Sequence, residues 1–517
     1  MLRAAESLVG LPPSELSEKE EEMAVAEALE RQQDDGPDAE ADQYLLGRVY
    51  FDGKEYRRCA HVLARCTGQK AMFLRLYARY LAGEKELHEA SIDVLGPADE
   101  ANAKNQETDA IISELEPRFR AETLDGFNCY LYGVVLRKQR RKREALSALL
   151  RATSLYPCNW SAWLELADMI EAQEMANEVI TQLPGHFVAD LFQAYLAMEL
   201  HLNVEAAQQQ LVKLEAVFLH SRFIKSQRAI IAYNMRDFEA AEALFDDIRR
   251  EDPYRLDQMD MFSNILFVMR NTPKLSFLAH DCTVIDKYRP ETCLVLGNYY
   301  GLRQDHERAI TYFRRALQLN KDCLPAWTLM GHEYMEMGNT HAAIEAYRRA
   351  VDIDNRDYRA WFGLGQTYEM LRMPHYALYY YERATTARPY DVRMWIAKAE
   401  CYESLHSVQE AIKCYERALT CQTDEIETYS KLAGLYARNS RKEESAFYYR
   451  MIVEQASQDA LDADYVAEAR FELAKYEKSR RNYSQALHYT TQLLGMGNCP
   501  HDEAQALLRE IQRLMRP

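Results

Sequence analysis

The sequence predicts an all-α fold built as a tandem array of helix hairpins, a solenoid of about thirteen helix pairs. Three observations carry this. Residues of one type recur at a step of 34, many independent positions agree on one frame for that step, and most of the glycines within the repeats, in a chain with only 19 of them in 517 residues, sit at packing positions.

The frame is clearest in the C-terminal half. Trp327, Trp361 and Trp395 are 34 apart, as are Gly297, Gly331 and Gly365. Tyr300, Tyr334, Tyr368, Tyr402 and Tyr436 keep the step, and so do Ala309, Ala343, Ala377 and Ala411. Phe313, Tyr347, Tyr381, Tyr415 and Tyr449 form a further series. A period of 34 with W-x2-L/M-G-x2-Y and then A-x3-F/Y-x2-A resembles the tetratricopeptide repeat, a pair of antiparallel helices. The small residues let the two backbones approach closely, and the Trp, Leu and Tyr positions fill the space to the next pair. No pair buries its apolar face alone, so neighbours must stack.

Stepping by 34 gives units beginning near 222, 256, 290, 324, 358, 392 and 426, with the unit from 256 degenerate. Upstream, Gly133, Ala145, Ala152 and Pro157 fit a unit from about 126, Trp163 opens the next, and "YLLGRVYFDGKEYRRCAHVL" starts one near 40. Four regions are expected. Residues 1–39 form an acidic, disordered head, and 40–221 are N-terminal repeats interrupted by a loop at about 96–110. Residues 222–459 are the C-terminal array, and 460–517 are a last repeat with a closing helix near 501–515.

Composition narrows the function. Hydrophobic residues make up 48%, enough for an extended core, and Lys+Arg 63 against Asp+Glu 80 leaves a net charge of −17. So acidic a chain is not expected to bind nucleic acid, which calls for a basic face. No apolar run approaches the length of a membrane span, so no membrane partner is expected. The eleven Cys lack any C-x-x-C pair, as reduced buried thiols would, and the expected location is nuclear and cytoplasmic.

The stretch His332-Glu333-Tyr334-Met335-Glu336 is one residue away from the H-E-x-x-H helix of zinc hydrolases. The second His is missing, so no metal is expected; in the repeat frame His332 and Glu336 are groove-facing positions of a first helix. The ninth positions of consecutive units are Asn298, His332, Gln366 and Glu400, and the twelfth or thirteenth supply Glu336, Glu369 and Glu403. Four carboxylates beside amide and imidazole groups suit an extended peptide carrying Arg, because carboxylates take guanidinium bidentately and amides pair with peptide backbone. Leu294, Thr328, Phe362 and Ile396 at the fifth position do not suit an anionic tail.

Phosphate-loop and nucleophile-elbow motifs are absent, so the chain is expected to be a binding protein, neither an enzyme nor a holder of cofactors. The run "RKQRRKR", Arg137 to Arg143, falls at the turn of one hairpin, where a solvated turn is expected. A nuclear-import signal or a contact with an acidic partner is the alternative.

The wording "DPYR", "KYRPETCLVLGNYYGL", "AWTLMGHEYMEMGN" and "AWFGLGQTYEMLRMPHYALYYY" resembles the eighth-subunit family of the anaphase-promoting complex (cyclosome), the Cdc-twenty-three type, over roughly residues 40–515. The resemblance implies a non-catalytic subunit of a multi-subunit ubiquitin ligase. It implies a homodimer through the N-terminal repeats, stacking against related repeat subunits, and a C-terminal groove for the C-box of co-activators. That segment reads Asp-Arg-Tyr/Phe-Ile-Pro-x-Arg. Carried across, it points first to Glu369, Asn298, His332 and Glu336, and then to Gln366, Glu400 and Glu403, whose "AKAECYESL" has lost the glycine of the other units. The alternative is a stand-alone repeat adaptor for basic peptides in transport or cilium assembly.

Overall fold

The computed structural model describes residues 40–90, 105–170, 173–200, 204–218, 221–421, 426–455, 463–494 and 501–515. Among them every regular element is a helix: thirteen successive pairs and a closing helix. In chain order these begin α1 (Ala41–Asp52), α2 (Tyr56–Val62), α3 (Gln69–Ala90), α4 (Glu107–Arg120), α5 (Gly126–Lys138), α6 (Lys142–Leu155) and α7 (Trp160–Met169). Next come α8 (Gln173–Ile180), α9 (Phe187–Glu199), α10 (Val204–Val217), α11 (Arg222–Asn234), α12 (Phe238–Glu251), α13 (Met259–Val268) and α14 (Thr272–Ile285). Then follow α15 (Pro290–Leu302), α16 (His306–Leu319), α17 (Leu324–Glu336), α18 (Thr340–Ile353), α19 (Tyr358–Met370), α20 (Pro374–Ala387) and α21 (Val392–Ser404). The last are α22 (Val408–Cys421), α23 (Ile426–Arg438), α24 (Lys442–Gln455), α25 (Ala463–Ser479), α26 (Tyr483–Leu494) and α27 (His501–Met515).

First helices thus start at 222, 290, 324, 358, 392 and 426, in step with the sequence period. The degenerate unit departs from it: α13 starts at Met259, because Gln258 before it adopts φ 66. The loop expected at 96–110 is shorter than that at its end. Residues 107–110 are already the first turn of α4, anchored by Asn105, whose amide donates to the Tyr80 carbonyl at 3.1 Å. The acidic head and most of the frame slip after 455 lie outside the described residues.

The hairpin turn is one backbone device repeated. Arg236, Arg270, Gln304, Gly338, Arg372, His406 and Ser440, each 34 apart, have positive φ, and only one of the seven is glycine. At each the first helix closes and the chain reverses; at Arg372, for example, the Met373 amide donates back to the Tyr368 carbonyl at 2.9 Å. Asp237, Asn271 and Asn339 then cap the second helix by accepting the amide three residues on.

The described residues form two compact units. One runs to Gln304 and includes Arg315–Lys321; the other comprises Asp305–Arg314 and the residues from Asp322 onward. In the first, Trp163 packs on Phe192 at 5.0 Å in one apolar cluster and Phe245 stacks on Phe262 at 5.2 Å in another, each ring pair joining neighbouring hairpins. There the basic turn is largely engaged: Arg137 pairs with Glu165 and Asp168, and Arg141 with Glu144.

In the second unit the recurring tyrosine is the keystone. Tyr347 is fully buried between two glycines; a β-carbon added at Gly331 of its own hairpin would lie 2.6 Å from the ring, and one at Gly363 of the next hairpin 2.5 Å. One ring therefore closes its own hairpin and docks the following one. The Trp361 and Trp395 indoles donate to the carbonyls of Asn355 and Pro389, six residues earlier, which fixes the approach to each new first helix.

Candidate peptide-binding face

Six of the seven residues singled out by the sequence lie in the second unit: His332 and Glu336 on α17, Gln366 and Glu369 on α19, Glu400 and Glu403 on α21. The helices α17 and α19 pack directly, with Thr367 Oγ1 3.1 Å from Met335 Sδ. On α21 the Cys401 thiol is buried. Burial first, then the carboxylates of Glu369 and Glu400, push it up to about 12.

Two of the carboxylates are held in the same way. The Tyr381 hydroxyl donates to Glu369 Oε2 at 2.7 Å, and the Tyr415 hydroxyl to Glu403 Oε1 at 2.7 Å. Both rings are completely buried, and burial, reinforced by the partner carboxylate, raises both hydroxyls well above the ordinary tyrosine range. They therefore stay protonated and donating. The missing glycine of the α21 unit changes nothing here: with Ala399 in its place Tyr415 still reaches Glu403.

In the unit from 324 the twelfth position is Met335, and the tyrosine turns elsewhere. The Tyr347 hydroxyl lies 2.7 Å from His332 Nδ1, and the two rings meet edge-on at 5.4 Å. Burial, with Arg359 adding, lowers the His332 pKa to about 4, so the imidazole is neutral at pH 7. Its neighbour Glu333 faces the other way, buried, with Oε2 2.6 Å from His306 Nδ1.

The remaining positions differ in availability. Glu400 is paired with Lys431 on α23, which also reaches Glu427 at 3.2 Å. Gln366 is half-buried, and its side-chain amide makes no hydrogen bond to any described residue. Glu336 and Glu369 are exposed and Glu403 half-buried, and among the described residues no cation pairs with any of the three. Asn298 belongs to the first unit: it is buried, and its amide donates to Ser263 Oγ and Asn264 Oδ1, both at 2.7 Å, clamping α15 to α13.

The face thus presents three carboxylates without a cation among the described residues, and a neutral imidazole. Residues 3–229 match the family described as anaphase promoting complex subunit 8 / Cdc23, and 290–323, 331–371 and 392–422 match tetratricopeptide repeats. Anaphase-promoting complex subunit 8 of Arabidopsis thaliana is 45% identical over 475 residues, spanning 92% of this chain and 82% of the relative. The chain belongs to the anaphase-promoting complex subunit 8 / Cdc23 family. The Dictyostelium discoideum subunit 8 is 41% identical, covering 91% and 86% of the two chains, and Saccharomyces cerevisiae CDC23 is 34% identical over 59% of each. The crystal structure of the APC/C hetero-tetramer Cut9-Hcn1 superposes with a TM-score of 0.56 over 91% of this chain and 89% of that one; at 17% identity this is a likeness of fold.

Within this subunit 8 family member, sequence reasoning missed the tyrosines beneath the carboxylates. They read as packing residues because Phe313 fills the same position in another unit. The available signal was a Glu twelve residues before the Tyr, at Glu369–Tyr381 and again at Glu403–Tyr415. Lys431 and His306 carry no repeat signature and could not have been read from the period.

Proposed function

We propose that this chain is a non-catalytic scaffold subunit of the anaphase-promoting ubiquitin ligase, in the nucleus and cytoplasm, whose second unit docks the C-box of co-activators. In that role it assembles with the other repeat and scaffold subunits, pairs with a second copy through its N-terminal repeats, and supports cell-cycle-dependent ubiquitination without carrying out ubiquitin transfer. Family membership supports the assembly.

The observation that carries the docking reading is the set Glu336, Glu369 and Glu403: acids on successive first helices with no cation of their own among the described residues. On the same face Glu400 already has one, Lys431. A peptide with two arginines supplies what these carboxylates lack, through charge-assisted paired hydrogen bonds. Gln366 adds donors and acceptors for peptide backbone.

The test is fluorescence anisotropy of a labelled Asp-Arg-Tyr-Ile-Pro-Ala-Arg peptide against the full chain. Glu369→Lys is expected to weaken binding by about tenfold, at the lower end for a charge pair because Glu369 is exposed. Replacing both arginines of the peptide by Ala should abolish binding. Equal affinity for wild type and Glu369→Lys would remove Glu369 from the site.

For the dimer, the supporting feature is α1, which exposes Leu45, Leu46 and Val49 on one face, at 56%, 44% and 65%. Isolated exposed leucines are ordinary, whereas three together on a helix face suit a self-complementary contact.

A further inference from the structure

The two buried tyrosines beneath the acidic face have no packing reason to carry a hydroxyl. Phe313 and Phe245 occupy the same repeat position, equally buried, without one. In three of the four units with a tyrosine there, the hydroxyl ends on a group of the acidic face: Tyr381 on Glu369 Oε2, Tyr415 on Glu403 Oε1, each at 2.7 Å, and Tyr347 on His332 Nδ1; the fourth, Tyr449, has no such partner among the described residues. The ring cannot swing away, being fully buried, and Gly365 leaves Tyr381 only the space it fills. A glutamate on a helix surface ordinarily samples many rotamers. Here one oxygen is tethered from below, the carboxylate plane is set in advance, and the second oxygen is left for a ligand.

We propose that Tyr381 and Tyr415 are positioning residues that make this face selective for guanidinium over ammonium groups, an inference that rests on the docking reading above. A guanidinium bonds a carboxylate through two parallel N–H donors in a fixed plane, so it gains from a carboxylate whose orientation is already set. An ammonium is a point charge with rotating donors and gains little from that. The tyrosines therefore convert a patch of negative charge into a reader of arginine, and the 34-residue repeat provides two such readers one hairpin apart.

The experiment measures two peptides, the arginine-bearing heptapeptide and its counterpart with both arginines replaced by lysine, against wild type, Tyr381→Phe, Glu369→Gln and the double variant. Tyr381→Phe is expected to weaken the arginine peptide about three- to tenfold, the scale of one lost hydrogen bond, and the lysine peptide less than twofold. In the Glu369→Gln background, adding Tyr381→Phe should change nothing further. Tyr415→Phe with Glu403→Gln repeats the cycle at an independent site should Tyr381→Phe fold poorly. If Glu369→Gln weakens binding but Tyr381→Phe does not, or weakens both peptides equally, the positioning role is overturned and the docking site stands. If Glu369→Gln and Glu403→Gln both leave the arginine peptide unaffected, the docking site falls, and the positioning role with it.

Discussion

Adding one methyl group to a first helix should have opposite consequences at Gly365 and Gly434. A β-carbon at Gly365 would lie 2.4 Å from Tyr381 Cε1 and 2.5 Å from Cδ1. Carbon atoms in contact sit roughly 3.5–4.0 Å apart, so the ring must retreat by more than about 1 Å. It is completely buried, but at the equivalent Ala399 the Tyr415 hydroxyl still reaches Glu403, so the cost falls on packing and the Tyr381–Glu369 bond is kept. Overpacking of this kind costs about 1–3 kcal/mol. The better helix propensity of alanine returns about 1 kcal/mol, leaving Gly365→Ala less stable by up to about 2 kcal/mol. At Gly434, on α23, nothing lies within 4 Å of an added β-carbon, so only propensity acts and Gly434→Ala should gain about 0.5–1 kcal/mol. Urea midpoints measure the sign. Because repeat arrays do not unfold in one step, amide exchange over α19 and α20 locates the loss. A Gly365→Ala chain as stable as wild type would refute the packing argument.

Two further outcomes follow from other parts of the molecule. His332 binds its proton at about 4 when folded against 6.5 ordinarily, so between these values the unfolded chain holds a proton that the folded one lacks. Stability then falls as pH drops through that window, by about 2 kcal/mol at pH 5 from this group. His332→Gln, whose amide oxygen can still accept from Tyr347, should show a correspondingly smaller drop in urea midpoint between pH 7 and 5; an identical drop would show that His332 is not held neutral. By light scattering, wild type should have the mass of a dimer at micromolar concentrations and Leu45→Glu/Val49→Glu that of a monomer. A monomeric wild type would end the dimer proposal.

Much of this molecule was legible because a tandem array repeats its packing solution. The close contact of Gly331 with Tyr347 must recur at Gly365 and Tyr381, so the residue types recur at the same step. What escaped was whatever the backbone does without a distinctive residue. The left-handed turn positions are Arg, Gln, His and Ser in all but one of the seven periodic units, so no glycine marks them. In the candidate site the period gave the correct helix and position but not the neighbour. Asn298 looks like its counterparts His332 and Gln366, yet its amide is engaged by Ser263 and Asn264 of the degenerate hairpin. Glu400 looks as available as Glu403, yet Lys431 of the following unit neutralises it. Both outcomes depend on contacts between units, which a one-dimensional period does not carry.

A charge exchange tests whether Glu369 meets an arginine of a docked peptide. Glu369→Arg should bind the arginine heptapeptide poorly, and wild type should bind poorly a peptide in which the contacting arginine is glutamate. Each arginine of the peptide is exchanged in turn. Glu369→Arg is predicted to regain affinity for one of the two glutamate peptides, binding it more tightly than wild type does. If neither exchanged peptide recovers any affinity on a folded Glu369→Arg chain, the direct pairing is contradicted.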